Sequence, residues 1–386
     1  MMVGAGLSGR RVAQVILNMT YGGGERLVQE LAVDLEDAGA RSLVVCLDSI
    51  QANTAPLEAR GIEITLVKRR QMALDAVALA RLTVLLRKRG TQLVHAHDLA
   101  SLAYAVPAGL VLGIPVLFTE HSRHYLDARL RRRLEKRLLC LGVRRLVEVS
   151  PELAGASVAR DGVSPRRVAV IENGVDLTAF AGGGGELFRR ECGLNEGQLL
   201  VGMVGRLEDI KGPQVLLEAF VRVAGNMPQA RLVFVGDGSL RRELEAKAVA
   251  RGLGGKVRFT GARPDIPQVM GGLDVLVLPS LSEGLPFALL EGMAAGRAVA
   301  ASAVGRIPGI VQDGESGMLL PAGDAGALAG ALAGLLADAD LRQRLGRAAR
   351  LVVAARYDRR HMLDAYREMY ASVLSREGQG REATWK

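Results

Sequence analysis

The chain has 386 residues, 49% hydrophobic and 24% charged, enough apolar material for two ordinary cores and too much for a disordered chain. Aromatic residues are only 4%, which argues against a surface that stacks nucleobases, so no nucleic-acid partner is expected. The formal net charge of +9 then points to anionic lipid, an anionic substrate, or a general enrichment in arginine.

Strand and helix signals alternate along the chain, the pattern of parallel sheets. Val12–Leu17 reads as a strand, Glu25–Ala38 as a helix, and Ser42–Leu47 and Ile62–Val67 as strands. Ala73–Lys88 reads as a helix ended by Gly90, and Leu93–Ala96 as a strand. Leu99 to Phe118 is almost uncharged and long enough to span a bilayer, but Pro107, Gly109, Gly113 and Pro115 interrupt it. It reads better as a buried helix ending near Gly113, followed by a buried strand. In the stretch Arg129–Leu139, leucines at 130, 134 and 138 recur at helical spacing with arginines between them, and Leu141 continues the series. Two readings are open: a basic amphipathic helix on an acidic membrane surface, or a helix whose leucines face the core. Strands Arg145–Val149 and Val168–Ile171 close this half.

The glycine run 182–185 after Ala181 is the best linker candidate. Beyond it, Leu199–Val204, Arg231–Val235, Val257–Phe259, Val275–Leu278, Ala298–Ala301 and Met318–Leu320 read as strands. Pro213–Ala224, Leu240–Ala250, Phe287–Ala295, Ala325–Leu336, Leu341–Ala355 and Met362–Val373 read as helices. Two doubly wound α/β domains follow, residues 10–178 and 179–357, with 358–386 returning to complete the first. Cys46, Cys140 and Cys192 are few, odd in number and widely spaced, so a reducing compartment and no disulfide frame are expected. The N-terminus shows no apolar run of the secretory type, and a cytoplasmic location is expected, with association at the inner membrane face through the Arg129–Arg137 helix as a further expectation.

Ligands of such sheets bind where strands end, so the loops there carry most weight. Gly4-Ala5-Gly6-Leu7-Ser8-Gly9 matches a dinucleotide fingerprint but precedes the first strand, and reads as a tail. Gly22, Gly23 and Gly24 follow the first strand and open a helix, where backbone N–H groups could meet an anion; a plain tight turn explains them as well. After a later strand, Arg206 and Lys211 flank a turn before the helix opened by Pro213, two cations placed to cradle a diphosphate. In Glu283-Gly284-Leu285-Pro286-Phe287, with Glu291 eight positions after Glu283, two carboxylates bracket a helix start whose N–H groups at Gly284, Leu285 and Phe287 can serve a ligand. Glu291 suits the paired hydroxyls of a ribose and Glu283 those of a hexose.

The ordered set of these three motifs, with Phe118-Thr119-Glu120-His121-Ser122, Glu172-Asn173-Gly174-Val175-Asp176, Val235-Gly236-Asp237-Gly238 and Asp313-Gly314-Glu315-Ser316-Gly317, resembles family 4 of the retaining glycosyltransferases, group 1, over about Val12 to Tyr370. The resemblance implies the GT-B fold, two Rossmann-like domains facing a central cleft. It implies transfer of a hexose from a UDP- or GDP-sugar to a lipid-linked or polysaccharide acceptor, without a metal or other cofactor. Arg206 and Lys211 would bind the diphosphate, Glu291 the ribose, Glu283 the transferred sugar, and His121 would lie beside it. Gly22, Gly23 and Gly24 would cover the phosphates, while Gly236, Gly238 and Arg263 would border the base. The chain departs from the family where Gly305-Arg306-Ile307-Pro308-Gly309 replaces the usual Gly-Gly-x-Pro-Glu, which leaves the donor open. An epimerase or hydrolase of nucleotide sugars on the same scaffold, and a non-catalytic sugar-nucleotide binder, are the competing readings.

Two further patterns imitate metal sites. His95-x-His97 with His121-x-x-His124 has no acidic or cysteine ligand at familiar spacing, so no metal is expected. Asp338-Ala339-Asp340 falls between two helices and reads as a helix cap.

Overall fold

A computed structural model describes residues 6–51, 54–70, 74–121 and 130–375. The chain divides into two compact units, the first reaching to Glu172 and resuming at His361, the second running from Asn173 to Arg360. The division thus falls a few residues before 178 and after 357.

The first unit holds a seven-stranded parallel sheet, with β1 (Arg11–Met19), β2 (Arg41–Ile50), β3 (Glu63–Leu66), β4 (Leu93–Ala96), β5 (Val116–Glu120), β6 (Arg145–Glu148) and β7 (Val168–Val170) in the order β3-β2-β1-β4-β5-β6-β7. Strands covered on both faces need continuous apolar runs rather than alternation. That is why β1 buries Val15 against Leu82 and Leu102 on one side and Ile16 against Val28 and Ala32 on the other. The helix Leu99–Leu112 stops at Gly113, which adopts φ +68°, and β5 follows, as the interrupted apolar stretch implies. No helix among the described residues is long and apolar enough to cross a membrane.

The second unit repeats the plan with β8 (Leu199–Val204), β9 (Ala230–Val235), β10 (Val257–Gly261), β11 (Val275–Leu278), β12 (Ala298–Ser302) and β13 (Met318–Leu320) in the order β10-β9-β8-β11-β12-β13. Strand order reverses between β1 and β4 in one sheet and between β8 and β11 in the other. Crevices open at such points, outside the carboxyl ends of the strands. The pairing of β8 with β11 covers only Val201↔Val275 and Gly202↔Leu276, so the carboxyl ends of the two strands are not paired to each other.

Two expectations are corrected. The glycine run 182–185 is not a linker between the units; it lies inside the second. Gly183 and Gly184 have positive φ, and a Cβ on Gly185 would overlap the backbone of Gly271 and Gly272, so the glycines permit a close approach to the helix Ile266–Gly272. The core-facing reading of the leucines in the helix Leu130–Cys140 also fails: Leu130, Leu134 and Leu138 are exposed, while Lys136 and Cys140 are buried. The cap reading of Asp338 holds, since its Oδ1 accepts from the Leu341 N–H at 2.9 Å at the start of the helix Ala339–Arg356.

Candidate active site

In the second unit the turn after β8 is held open by glycine. Gly205 has φ +151°, and Gly212 has φ +64° where a Cβ would overlap the Pro279 carbonyl oxygen. The β9 loop locks onto this turn. A Cβ on Gly236 would overlap the Gly205 carbonyl oxygen, one on Gly238 would overlap that of Leu207, and Glu208 accepts from the Ser239 N–H at 2.9 Å and hydroxyl at 2.7 Å. Gly212→Ala is expected to destabilise this unit by about 1–2 kcal/mol through its backbone alone, plus the overlap with Pro279. A denaturant midpoint indistinguishable from the parent would contradict that.

At the mouth of the β8/β11 gap, Lys211 Nζ donates to both oxygens of Glu283, at 2.7 and 2.8 Å, and the Ser280 hydroxyl donates to Glu283 at 2.7 Å. The two loops are also tied by Leu281 N–H donating to the Ile210 carbonyl at 2.9 Å. Two residues before Glu208, Arg206 stands exposed on the same turn, with no carboxylate in ion-pair contact among the described residues. Gly284, Leu285 and Phe287 are buried at the start of the helix Phe287–Ala294, whose N-cap is Pro286 and has no side-chain cap. Glu291 is buried one turn further along that helix. Asn173 Nδ2 donates to the Leu285 carbonyl at 2.8 Å, and Arg306 N–H donates to the Gly284 carbonyl at 3.2 Å, so the Glu283–Phe287 segment is held from both sides. The Arg306 guanidinium lies over Gly309, where a side chain at 309 would stand. That places the arginine and the glycine of the departing motif in mutual contact.

Arg263 is arranged differently. Beyond the end of β10, the far strand of the sheet, it forms ion pairs with Asp265 and with Glu191 at 2.6 and 2.7 Å, and sits over the Phe188 ring. Its donors tie the helix Glu186–Glu191 to the loop after β10 and are not gathered with Lys211.

In the first unit, Gly23 and Gly24 open the helix Gly23–Asp37 with Gly22 as N-cap. The Glu25 carboxylate folds back over Gly22 and accepts from the Thr20 hydroxyl at 2.7 Å, so one anion already lies at this helix start. His121, just past β5, lies over Gly24: a Cβ there would be 3.2 Å from its ring. Its Nε2 is buried with no hydrogen-bond partner among the described residues. Behind it the rings of His97 and His95 form a ladder, His121 to His97 at 5.8 Å and His97 to His95 at 4.1 Å between centroids. His97 Nε2 contacts Gln14 Oε1 at 2.6 Å, and His95 contacts Tyr370 and Thr119 hydroxyls at 2.8 Å each. Tyr366 and Tyr370 come from the helix Arg359–Leu374, so the returning helix is bonded to side chains of β1, β4 and β5. Both ring nitrogens of His95 are thus bonded to hydroxyls, while His97 Nδ1 is buried with no hydrogen-bond partner among the described residues; His124, Ser122 and Arg129 lie outside the described residues, as do Gly4 and Ala5.

Burial pushes the imidazole of His95 down to about 3 and that of His121 to about 4, and it holds His97 well below its usual value. These rings are neutral in the folded protein, whereas unfolded histidines titrate near 6.5. The unfolded chain therefore binds more protons as pH falls below about 6.5. Stability is full above that pH and drops toward pH 4, by up to about 1.4 kcal/mol per pH unit for each ring. A melting temperature of the first unit that stays flat from neutral pH to pH 4.5 would contradict this.

Comparisons with known proteins give the family and the fold. The family model "Glycosyl transferases group 1" matches residues 186–352, and "Glycosyltransferase Family 4" matches 21–179. The chain is 32% identical over 216 residues to a D-inositol 3-phosphate glycosyltransferase of Kribbella flavida, covering 53% of this chain and 51% of that protein. It is 31% identical over 260 residues to the UDP-Gal:alpha-D-GlcNAc-diphosphoundecaprenol alpha-1,3-galactosyltransferase of Escherichia coli, covering 64% of this chain and 65% of that one. The chain spans about half the length of most curated relatives it matches. Among solved structures, Anabaena HepE in complex with UDP is similar with a TM-score of 0.79 at 21% identity, covering 94% of this chain and 100% of that one. WaaG, a glycosyltransferase involved in lipopolysaccharide biosynthesis, gives 0.76 at 18% identity, covering 95% and 100%. These structural likenesses carry the fold, two parallel sheets of the GT-B type. With one family model on each half, the chain belongs to the glycosyl transferases of group 1 and family 4.

Proposed function

We propose that the chain is a retaining hexosyltransferase that takes its sugar from a nucleotide diphosphate donor, with UDP favoured, and works in the cytoplasm on a lipid-linked or polysaccharide acceptor. The observation that carries this reading is the Lys211–Glu283 pair at the β8/β11 reversal with exposed Arg206 on the same turn. The name of the E. coli relative, with its UDP-sugar donor and diphosphoundecaprenol acceptor, supports the choice of donor and acceptor.

The chemistry follows from charge. Breaking the sugar–phosphate bond leaves negative charge on the departing diphosphate and positive charge on the sugar carbon. Arg206, Lys211 and the N–H groups opening the helix Phe287–Ala294 answer the first without reorganising. Lys211 holds Glu283 in one orientation, so that carboxylate can grip hydroxyls of the hexose while Glu291 takes those of the ribose. Neutral His121 can exchange a hydrogen bond with a sugar hydroxyl, its Nε2 being buried and its pKa pushed down by burial. No carboxylate is assigned as a covalent nucleophile. The acceptor hydroxyl attacks the anomeric carbon from the face the diphosphate leaves, the C–O bond to phosphate breaks, and a diphosphate oxygen takes the acceptor's proton, so the configuration is retained. No metal is required in this scheme, because the two side-chain cations and the helix start do its work.

The experiment is a panel of UDP- and GDP-hexoses incubated with lipid-linked and oligosaccharide acceptors, with and without chelator, the product anomer being read by NMR. Transfer with retention that survives chelation is expected. An inverted product, a chelator-abolished reaction, or donor hydrolysis that ignores every acceptor would overturn the reading.

A further inference from the structure

One face of the first unit's sheet is covered by three helices, Ala76–Lys88, Leu99–Leu112 and Leu130–Cys140, the middle one packing against both others. Their outward residues are an unusual mixture. Leu110, Val111, Leu130, Leu134, Leu138 and the following Leu141 are between 50 and 76% exposed. Arg131, Arg132, Arg137 and Arg144 are exposed among them. The three helices contain a single carboxylate, Glu135, which pairs with Arg132 at 3.0 Å.

The outward turn of the leucines has a physical cause. Lys136 is wholly buried, paired with Glu120, with Glu148 at 3.2 Å and with Asp161 at 3.1 Å, and it donates to the Ser157 hydroxyl at 2.6 Å. Burial alone would weaken its charge, but Glu120 and Glu148 hold its pKa above the usual lysine value. Leu134 and Leu138 stand two positions to either side, about 200° around the helix from it. Locking Lys136 inward therefore points the leucines out. Arg167 fixes the other end, its Nη1 donating to the carbonyls of Cys140, Leu141 and Val143 at 2.6–2.9 Å.

An ordinary solvated helix keeps its leucines in and its lysine out, and a solvated surface mixes both signs of charge. A rim of arginine around exposed leucine, with almost no acid, complements a surface that is apolar inside and anionic outside. We propose that this three-helix face docks on an anionic lipid bilayer, the leucines entering the acyl boundary and the arginines meeting phosphate headgroups. The helix lies on the surface and does not cross it.

The test is sedimentation of the full chain with vesicles of phosphatidylglycerol in phosphatidylcholine, and with phosphatidylcholine alone. Binding to the anionic vesicles, weakened by salt, is expected. Arg131→Ala with Arg132→Ala should weaken partitioning about thirtyfold, and Leu134→Gln with Leu138→Gln should weaken it at least about tenfold. Both pairs are exposed, so melting temperature and nucleotide-sugar binding should be unchanged, which separates this test from that of the donor site. Equal binding to neutral vesicles, or none to either, would overturn the proposal. So would self-association that the leucine variant abolishes without any vesicle binding, since that would give the face to a second copy of the chain.

Discussion

Lys211→Ala is expected to lower kcat/KM about a hundred- to a thousandfold, the usual consequence of removing one fixed charge aimed at a developing anion. Two effects combine. The departing diphosphate loses a cation, and Glu283, which is nearly buried, loses the partner that clamps both its oxygens. Arg206→Ala removes a cation without disturbing any ion pair among the described residues, so its loss should fall on turnover with the melting temperature unchanged. Lys211→Ala should also lower the melting temperature of the second unit, because an unpaired, largely buried carboxylate is costly. Steady-state rates with saturating donor, set beside thermal melts of both variants, separate the two. Near-parent turnover in both would remove the diphosphate role.

Lys136→Met is expected to be the most damaging substitution in the first unit. It fills a similar volume but leaves Glu120, Glu148 and Asp161 crowded together without their shared cation. Breaking a buried pair from one side costs about 3–5 kcal/mol, which for a unit of this size is a fall of roughly 10–15 °C in melting temperature. The carboxylates would then gain protons on folding, so the deficit should shrink as pH is lowered. A melt within about 2 °C of the parent at neutral pH would show that the cluster does not hold the helix Leu130–Cys140 in place.

Much of the fold is legible in the sequence because parallel strands covered on both sides are written as apolar runs. β1, β8 and β11 are found that way, and Gly113 and Pro213 mark helix boundaries where backbone conformation demands them. What fails is whatever depends on partners distant in the chain. The run 182–185 looks like a linker by composition, yet its glycines serve close packing on Gly271 and Gly272. The leucines at 130, 134 and 138 have core-facing spacing, and only the three acids gathered by β5, β6 and the segment after the helix Pro151–Ala159 reveal why Lys136 faces inward instead. The bonds of His95 and Gln14 to Tyr370 of the returning helix are likewise beyond what spacing along the chain discloses.

The candidate site divides along the same line. Arg206, Lys211, Glu283 and Glu291 are placed by motif at strand ends, but the contact of Lys211 with Glu283 comes from β11 lying next to β8, which no spacing discloses. The fold of the Glu25 carboxylate over Gly22 has only a faint sequence signal, a glutamate directly after a glycine turn with a threonine five positions before it. Likewise the engagement of Arg263 with Glu191 and Asp265 is invisible until the helix Glu186–Glu191 is seen beside it.

The most direct test of the central claim is calorimetric titration of UDP and UDP-hexoses into the parent protein, Lys211→Ala and Glu291→Gln, each in chelator. The arrangement around β8 and β11 predicts tight binding by the parent and loss of roughly a hundredfold in affinity for Lys211→Ala, equivalent to one strong charge-assisted hydrogen bond, with a smaller loss for Glu291→Gln. Equal affinity in all three proteins would contradict it.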